Sequence, residues 1–162
     1  MPAPERLWAP WRSGYLARHT RRGCIFCAAK RAARRDRANY VVARGRQVFA
    51  MLNLYPYNNG HLMIAPYRHV TALAGITPSE WTELLRVSQR LTRRLGRMLH
   101  PQAYNVGFNI GRASGAGFDH LHLHVVPRWA GDTNFMPVLA RTKVISQSLE
   151  ALYDLLAEQG AA

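Results

Sequence analysis

The sequence predicts an α+β fold: an antiparallel sheet of about five strands with one long central helix and a C-terminal helix. Two observations carry this. Short runs rich in Val, Phe, Leu and Ile fall before and after a single long segment of helical periodicity. The resulting order of strands, helix, strands and helix also lacks the regular strand-helix alternation of a parallel sheet.

Tyr40–Ala43 and Gln47–Leu54 are separated by Arg44-Gly45-Arg46, as expected for two antiparallel strands around a tight turn. Tyr55-Pro56-Tyr57-Asn58-Asn59-Gly60 is a turn signal, and a third strand follows near His61–Ala65. Thr77-Pro78-Ser79-Glu80 then opens a helix whose Trp81, Leu84, Leu85, Leu91, Leu95, Met98 and Leu99 read as a core-packed stripe. Two more strands are expected at Tyr104–Ile110 and Asp119–Val126, joined by the Gly-rich stretch 111–117, with a last helix near Ser146–Glu158. Lys30–Arg37 is mostly Ala and Arg with no apolar face, a solvated helix or loop to which no chemistry is assigned.

The 162 residues suit one domain, with residues 1–38 as an N-terminal arm, 39–128 as the core and 129–162 as a C-terminal extension. In the arm Trp8, Pro10, Trp11 and Tyr15 argue for packing on the body, since two exposed tryptophans would be costly. No window approaches the roughly 18 apolar residues of a membrane span, and no secretory signal opens the chain. Cys24 and Cys27, the two cysteines, lie too close together to staple a secreted fold. A reducing cytoplasmic location is the expectation.

A formal charge of +13, carried almost wholly by arginine, attracts polyanions: nucleic acid, acidic headgroups or nucleotide phosphates. Charge alone does not choose among them, and a solvated surface that only maintains solubility would look the same.

The most informative segment is Asp119-His120-Leu121-His122-Leu123-His124-Val125-Val126-Pro127-Arg128. Histidine alternating with aliphatics at period two puts His120, His122 and His124 on one strand face and Leu121, Leu123 and Val125 in the core. A chance polar face does not account for three such alternations beside a Gly-rich loop. One zinc held by all three is awkward, because next-but-one residues stand roughly 6.5–7 Å apart while Zn–N bonds are about 2.0–2.1 Å. Nucleophilic and acid–base chemistry fits better: imidazole is partly neutral near pH 7 and forms a labile phosphoramidate. The middle histidine, His122, is the natural attacker.

The motif His-x-His-x-His followed by apolar residues resembles that of the histidine-triad, or HIT, superfamily. Phe49-Ala50-Met51-Leu52-Asn53, Pro56, Gly60-His61-Leu62 and Pro127-Arg128-Trp129-Ala130-Gly131-Asp132 resemble its Fhit branch at the same spacing. Trp8-Ala9-Pro10, Leu52 through Asn58, and Trp129 through Asn134-Phe135-Met136 are similar to the bacterial subgroup that phosphorolyses diadenosine tetraphosphate. The resemblance implies that His122 attacks the α-phosphorus, that His124 hydrogen-bonds phosphate or bridging oxygens, and that His61 supports His124. It implies that Asn53 holds the ribose and that Asn109 stands where a phosphate-contacting glutamine is usual. Ser114 and the neighbouring glycines would supply further donors to phosphate. Water as second acceptor would give hydrolysis, and inorganic phosphate would give phosphorolysis. The usual glutamine before the first triad histidine is replaced within Gly115-Ala116-Gly117-Phe118-Asp119, which leaves the acceptor open. A phosphoramidate substrate or an adenylylated polymer end is the alternative within the family. Homodimerisation is the family's usual state.

Cys24-Ile25-Phe26-Cys27 has the spacing of a zinc knuckle but supplies half of a tetrahedral shell. The resemblance completes it with His69 and His120, a closed and hence structural Zn²⁺ site; His19 and His100 are the substitutes. Two buried free thiols are the plainer reading. A competing reading makes the chain a nucleic-acid-binding module, motivated by Arg21-Arg22 and by Arg31, Arg34, Arg35 and Arg37. No zinc-finger repeat or RNA-recognition signature accompanies that run.

Overall fold

A computed structural model describes residues 23–117, 119–133 and 145–158, with the side chains of Ala33, Arg112 and Glu158 excepted. The tryptophans of the arm, His19, Arg21-Arg22 and Asn134-Phe135-Met136 lie outside the described residues.

Among the described residues five strands, β1 (Val41–Arg44), β2 (Val48–Leu52), β3 (Leu62–Pro66), β4 (Ala103–Phe108) and β5 (Leu123–Arg128), form one sheet of order β1-β2-β3-β5-β4. Every neighbouring pair is antiparallel, as expected. The helices are α1 (Ile25–Arg31), α2 (Pro78–Leu99) and α3 (Leu149–Glu158), with short 3₁₀ turns at Ala33–Arg35, Arg37–Asn39, Leu73–Gly75 and Arg112–Ser114.

The period-two patterns sort onto two faces. Val48, Ala50 and Leu52 of β2, Leu62 and Ile64 of β3, and Leu123 and Val125 of β5 point toward α2 and α3. There they pack against Leu84, Val87, Leu91 and Leu95 and against Leu152, Tyr153 and Leu156. Phe49 and Met51, with Met63 and Ala65, face the other way and are covered by Phe26 and Ala29 of α1. The histidines lie on this second face.

The start of α2 follows from its sequence. Thr77 caps the helix by accepting from the Glu80 amide at 3.2 Å, Glu80 accepts the Thr77 amide at 2.9 Å, and Pro78 sits in the first turn. Arg68 clamps the same carboxylate with Nε and Nη2 at 2.8 and 2.7 Å, and holds it down at about 2, well below the usual carboxylate range. Glu80 is buried though charged. Glu80→Gln is therefore expected to cost about 1–2 kcal/mol of stability at pH 7, the worth of a cap and a half-exposed ion pair. A carboxylate whose folded-state titration lies at about 2, against about 4.5 unfolded, stabilises above pH 4.5 and loses that contribution as pH falls toward 2. Denaturant melts at pH 7 and pH 3 should show the wild-type advantage shrinking at the lower pH.

Residues 25–31 form a helix that the sequence does not announce, and the Arg-rich stretch after it is a pair of largely exposed 3₁₀ turns, within the expected solvated helix or loop. Three expectations need correction. Trp81 and Leu85, assigned to the core stripe of α2, are exposed, whereas Val87 and Arg94 are buried. The last helix begins at Leu149 rather than Ser146. Strand β5 begins at Leu123, so His120 and His122 precede the ladder. Continuing the β3–β5 register from Ile64↔Leu123 would bring Leu121 opposite Pro66, which has no N–H to give. Instead the Leu121 amide bonds the Val70 carbonyl at 2.6 Å.

Candidate active site

The turn 55–60 delivers His61 to the start of β3. It closes at Gly60, whose φ of +76° favours glycine and where a Cβ would stand 2.9 Å from Leu99 Cδ1 and 3.0 Å from Pro127 Cγ. His61 stands beside His124, which the ladder places opposite Met63. His120, His122 and His124 remain on one side although two of them precede the strand: the rings of His122 and His124 are 4.6 Å apart, and Phe26 packs on both His120 (5.1 Å) and His122 (4.8 Å). All four histidines are buried, along with Leu121, Leu123 and Val125 behind them.

Hydrogen bonds fix which nitrogen of each ring carries the proton. His122 Nδ1 lies 2.7 Å from the His120 carbonyl, which can only accept, so Nδ1 holds the hydrogen and Nε2 the lone pair. Burial pulls the His122 titration below the ordinary histidine value, which keeps that lone pair available at neutral pH. The Tyr57 amide donates to His61 Nδ1 at 3.0 Å, and the Asn53 amide nitrogen lies 3.3 Å from the same atom. His61 Nδ1 is thus an acceptor and Nε2–H donates to His124 Nδ1 at 2.9 Å. That leaves the hydrogen of a neutral His124 on Nε2. The site therefore offers a nucleophilic nitrogen on His122 and, from His124, an N–H donor beside it.

Asn53 sits just past β2, its Oδ1 accepting the Tyr55 amide at 2.9 Å. Asn109 lies just past β4 and donates to the Tyr57 hydroxyl at 3.3 Å; the Tyr57 ring in turn stacks on His124 at 5.7 Å. The structure thus brings Asn53 and Asn109 to the histidines. Ser114 lies in an exposed turn whose hydroxyl and amide both point back to the Gly111 carbonyl, at 2.7 and 3.2 Å. Its hydroxyl would have to rotate to serve a phosphate.

Cys24, Cys27, His69 and His120 converge, their ligand atoms all within 4.8 Å of one another. Cys24 Sγ is 3.3 Å and Cys27 Sγ 3.8 Å from His120 Nδ1, and Cys27 Sγ is 3.4 Å from His69 Nδ1. A tetrahedral zinc with Zn–S near 2.3 Å and Zn–N near 2.05 Å would set sulfur–nitrogen edges of about 3.5 Å. The donor chemistry also fits. His120 Nε2–H is spent on the Pro66 carbonyl at 2.9 Å, which turns the Nδ1 lone pair toward the sulfurs, as an outer hydrogen bond does for a ligating imidazole. Burial, with His69 and His122 nearby, pushes the His120 titration down to about 4, so the ring stays neutral. Burial also raises the Cys24 thiol, a cost that a divalent cation would reverse. His100, the alternative ligand, instead caps α2 in a left-handed conformation and is exposed.

Sequence reasoning missed Phe26 and Tyr57. Phe26 lies between the two cysteines, on the turn of α1 that lays its ring against His120 and His122. Tyr57 enters the sequence reading within a turn and within the family-like run from Leu52 to Asn58, with no role of its own, yet its amide sets the His61 tautomer and its ring covers His61 and His124. Aromatic residues beside a ligand pair and a loop histidine were the available signal.

Residues 34–131 match the model of the HIT domain. The chain is 42% identical to the AP-4-A phosphorylase of Mycobacterium tuberculosis over 165 aligned positions, spanning 97% of this chain and 85% of that protein. It is 33% identical to the asymmetrical bis(5'-nucleosyl)-tetraphosphatase of Schizosaccharomyces pombe over 95 positions, 54% of this chain and 52% of that one. Among solved structures, a Zn-bound histidine triad family protein from Mycobacterium smegmatis superposes with a TM-score of 0.66 at 25% identity, covering 84% of this chain and 91% of that chain.

Proposed function

The chain belongs to the HIT-domain family, and from that premise we propose that it cleaves diadenosine tetraphosphate by phosphorolysis, through an adenylyl group carried on His122. The observation that carries this reading is the tautomer of His122: its Nδ1–H is anchored on the His120 carbonyl at 2.7 Å, so Nε2 has the lone pair. The near-full-length similarity to a protein named AP-4-A phosphorylase supports the substrate and the acceptor.

His122 Nε2 attacks the α-phosphorus; a P–N bond forms, the bond from that phosphorus to the bridging oxygen breaks, and ATP leaves. The positive charge on the adenylylated imidazole is met by the His120 carbonyl at Nδ1. His124 Nε2–H hydrogen-bonds the phosphate or bridging oxygen, and His61, held by the Tyr57 amide, keeps His124 in the tautomer that can donate. An oxygen of inorganic phosphate then attacks the same phosphorus, the P–N bond breaks, ADP leaves and His122 is restored. Asn53 is assigned to the ribose, with Asn109 and Ser114 on the phosphate chain.

Cys24, Cys27, His69 and His120 are assigned to one structural Zn²⁺, whose closed shell would tie α1 to the catalytic segment and leave His122 and His124 free. Strand β4 ends the sheet with its outer edge open among the described residues, and Val106, Ile110, Trp81 and Leu85 are exposed beside it. We assign this edge to a homodimer contact, since an open strand edge with apolar neighbours favours pairing. No helix among the described residues is long and apolar enough to cross a membrane; a cytoplasmic location is the corresponding proposal.

Incubation with diadenosine tetraphosphate, with and without inorganic phosphate, separates the acceptors. Repeated turnover to ADP and ATP in equal amounts only when phosphate is present is the expected result; without phosphate, ATP release should stop at about one equivalent per site. AMP with ATP at a rate indifferent to phosphate would instead make the protein a hydrolase of the same family.

A further inference from the structure

The basic run that the sequence singles out is partly engaged: Arg37 binds Asp154 through Nη2 at 3.0 Å. A second and more regular set of cations lies on α2. Arg86, Arg90, Arg93 and Arg97 are all exposed, and at 100° per residue they fall within about 60° of one another on the helix, opposite its core face. The 1.5 Å rise spreads them over about 16 Å. None of the four enters an ion pair or hydrogen bond among the described residues. The two acids of the helix are already committed: Glu80 to Arg68, and Glu83 to the Arg46 and Gln47 amides, each at 2.7 Å.

Helix electrostatics on their own do not account for the stripe. The macrodipole favours cations in the last turn, which covers Arg97 but not Arg86 or Arg90. Like charges at i,i+4, here Arg86 with Arg90 and Arg93 with Arg97, repel. Arg94 adds to the field: it is buried, its Nε and Nη2 have no hydrogen-bond partner among the described residues, and its charged neighbours there are Arg90 and Arg97. The stripe runs into a groove of about 430 Å³ between α2 and the β1–β2 turn, where Arg46 faces Arg86 and Arg90. That turn is pinned: Glu83 holds its amides, Ser79 Oγ donates to Gln47 Oε1 at 3.0 Å, and Gly45 allows the approach, since a Cβ there would collide with Glu83 Oε1.

We propose that this groove and the arginine stripe of α2 bind the phosphate backbone of a single-stranded nucleic acid. A ladder of unpaired guanidiniums longer than any one phosphate group matches a repeating chain of phosphates, and arginine binds such oxygens bidentately. The surface lies on the α2 side of the sheet, away from the histidines, so a bound strand leaves the catalytic site open.

Fluorescence anisotropy of a labelled oligothymidylate of about 20 nucleotides tests this on the full-length protein. Wild type is expected to bind at about 50 mM salt, with affinity falling steeply toward 200 mM. Replacing Arg86, Arg90, Arg93 and Arg97 together with glutamine, which preserves helix propensity, should weaken binding at least tenfold and flatten the salt dependence, while diadenosine tetraphosphate cleavage is unchanged. The smaller R46Q/R86Q pair should weaken binding about threefold or more, and R34Q/R35Q should leave it within twofold. Absence of wild-type binding, wild-type affinity in the fourfold variant, or loss of binding in R34Q/R35Q alone would overturn the assignment. So would inorganic polyphosphate displacing the oligonucleotide at a tenfold lower phosphate concentration than unlabelled oligonucleotide.

Discussion

His122→Asn is expected to lower turnover of diadenosine tetraphosphate by at least about 10⁴-fold, some 5.5 kcal/mol of barrier, while nucleotide affinity stays within a few-fold. Asparagine is the informative replacement. Its amide can still donate to the His120 carbonyl that anchors His122 Nδ1, and it fills most of the space against Phe26, but it offers no nucleophilic lone pair. Alanine would leave that carbonyl unsatisfied in a buried site and open a cavity, so lost activity could be misread as lost structure. Binding is checked by calorimetry with a non-hydrolysable dinucleotide, and turnover by product chromatography. Substantial activity in the variant would remove His122 from the nucleophile's role and shift attention to His124.

The second large effect concerns the Cys/His cluster. Cys27→Ser is expected to remove the metal and to destabilise the protein by on the order of 3 kcal/mol, a melting-temperature drop of roughly 6–12 °C for a chain of this size. The reason lies in what the cluster joins. Cys24 and Cys27 stand at the N-terminal end of α1, His69 just past β3, and His120 in the segment leading to β5. At seven residues α1 is too short to be stable by itself, and Phe26 and Ala29 are its buried anchors. Releasing the cysteines should loosen the ring that lies against His122, so activity should fall with stability. Metal analysis of the purified wild type should find about one zinc per chain. A metal-free wild type with the same melting temperature as Cys27→Ser would reduce the cluster to packed thiols and imidazoles.

The sequence carried the site further than it carried the local structure. The capping residues Thr77 and Glu80 and the apolar repeat after them announced α2, because both signals are local. The alternation of His120, His122 and His124 with aliphatics announced which side chains share a face. Cys24, Cys27, His69 and His120 were grouped by resemblance and converge in space. What escaped depends on contacts distant in sequence. Helix α1 has almost no apolar period of its own and exists because Phe26 is buried against Phe49 and two histidines. The ladder's start at Leu123 rather than Asp119 reflects Pro66 on another strand. Trp81 and Leu85 kept helical spacing yet flank the core, since periodicity cannot separate a core stripe from a neighbouring apolar patch beside an open strand edge. The chain of proton positions from Tyr57 through His61 to His124 was likewise illegible, because it is set by a backbone amide in a turn.

Every step proposed above passes through covalent adenylylation of His122 Nε2, and trapping that adduct is the decisive experiment. The protein is mixed with diadenosine tetraphosphate in phosphate-free buffer, quenched at short times under mildly alkaline conditions that preserve phosphoramidates, digested and analysed by mass spectrometry. One AMP group is expected on the peptide containing His122, lost on adding inorganic phosphate with release of ADP. An adduct on another residue, or dinucleotide cleavage at full rate with no adduct at any time point, would contradict it.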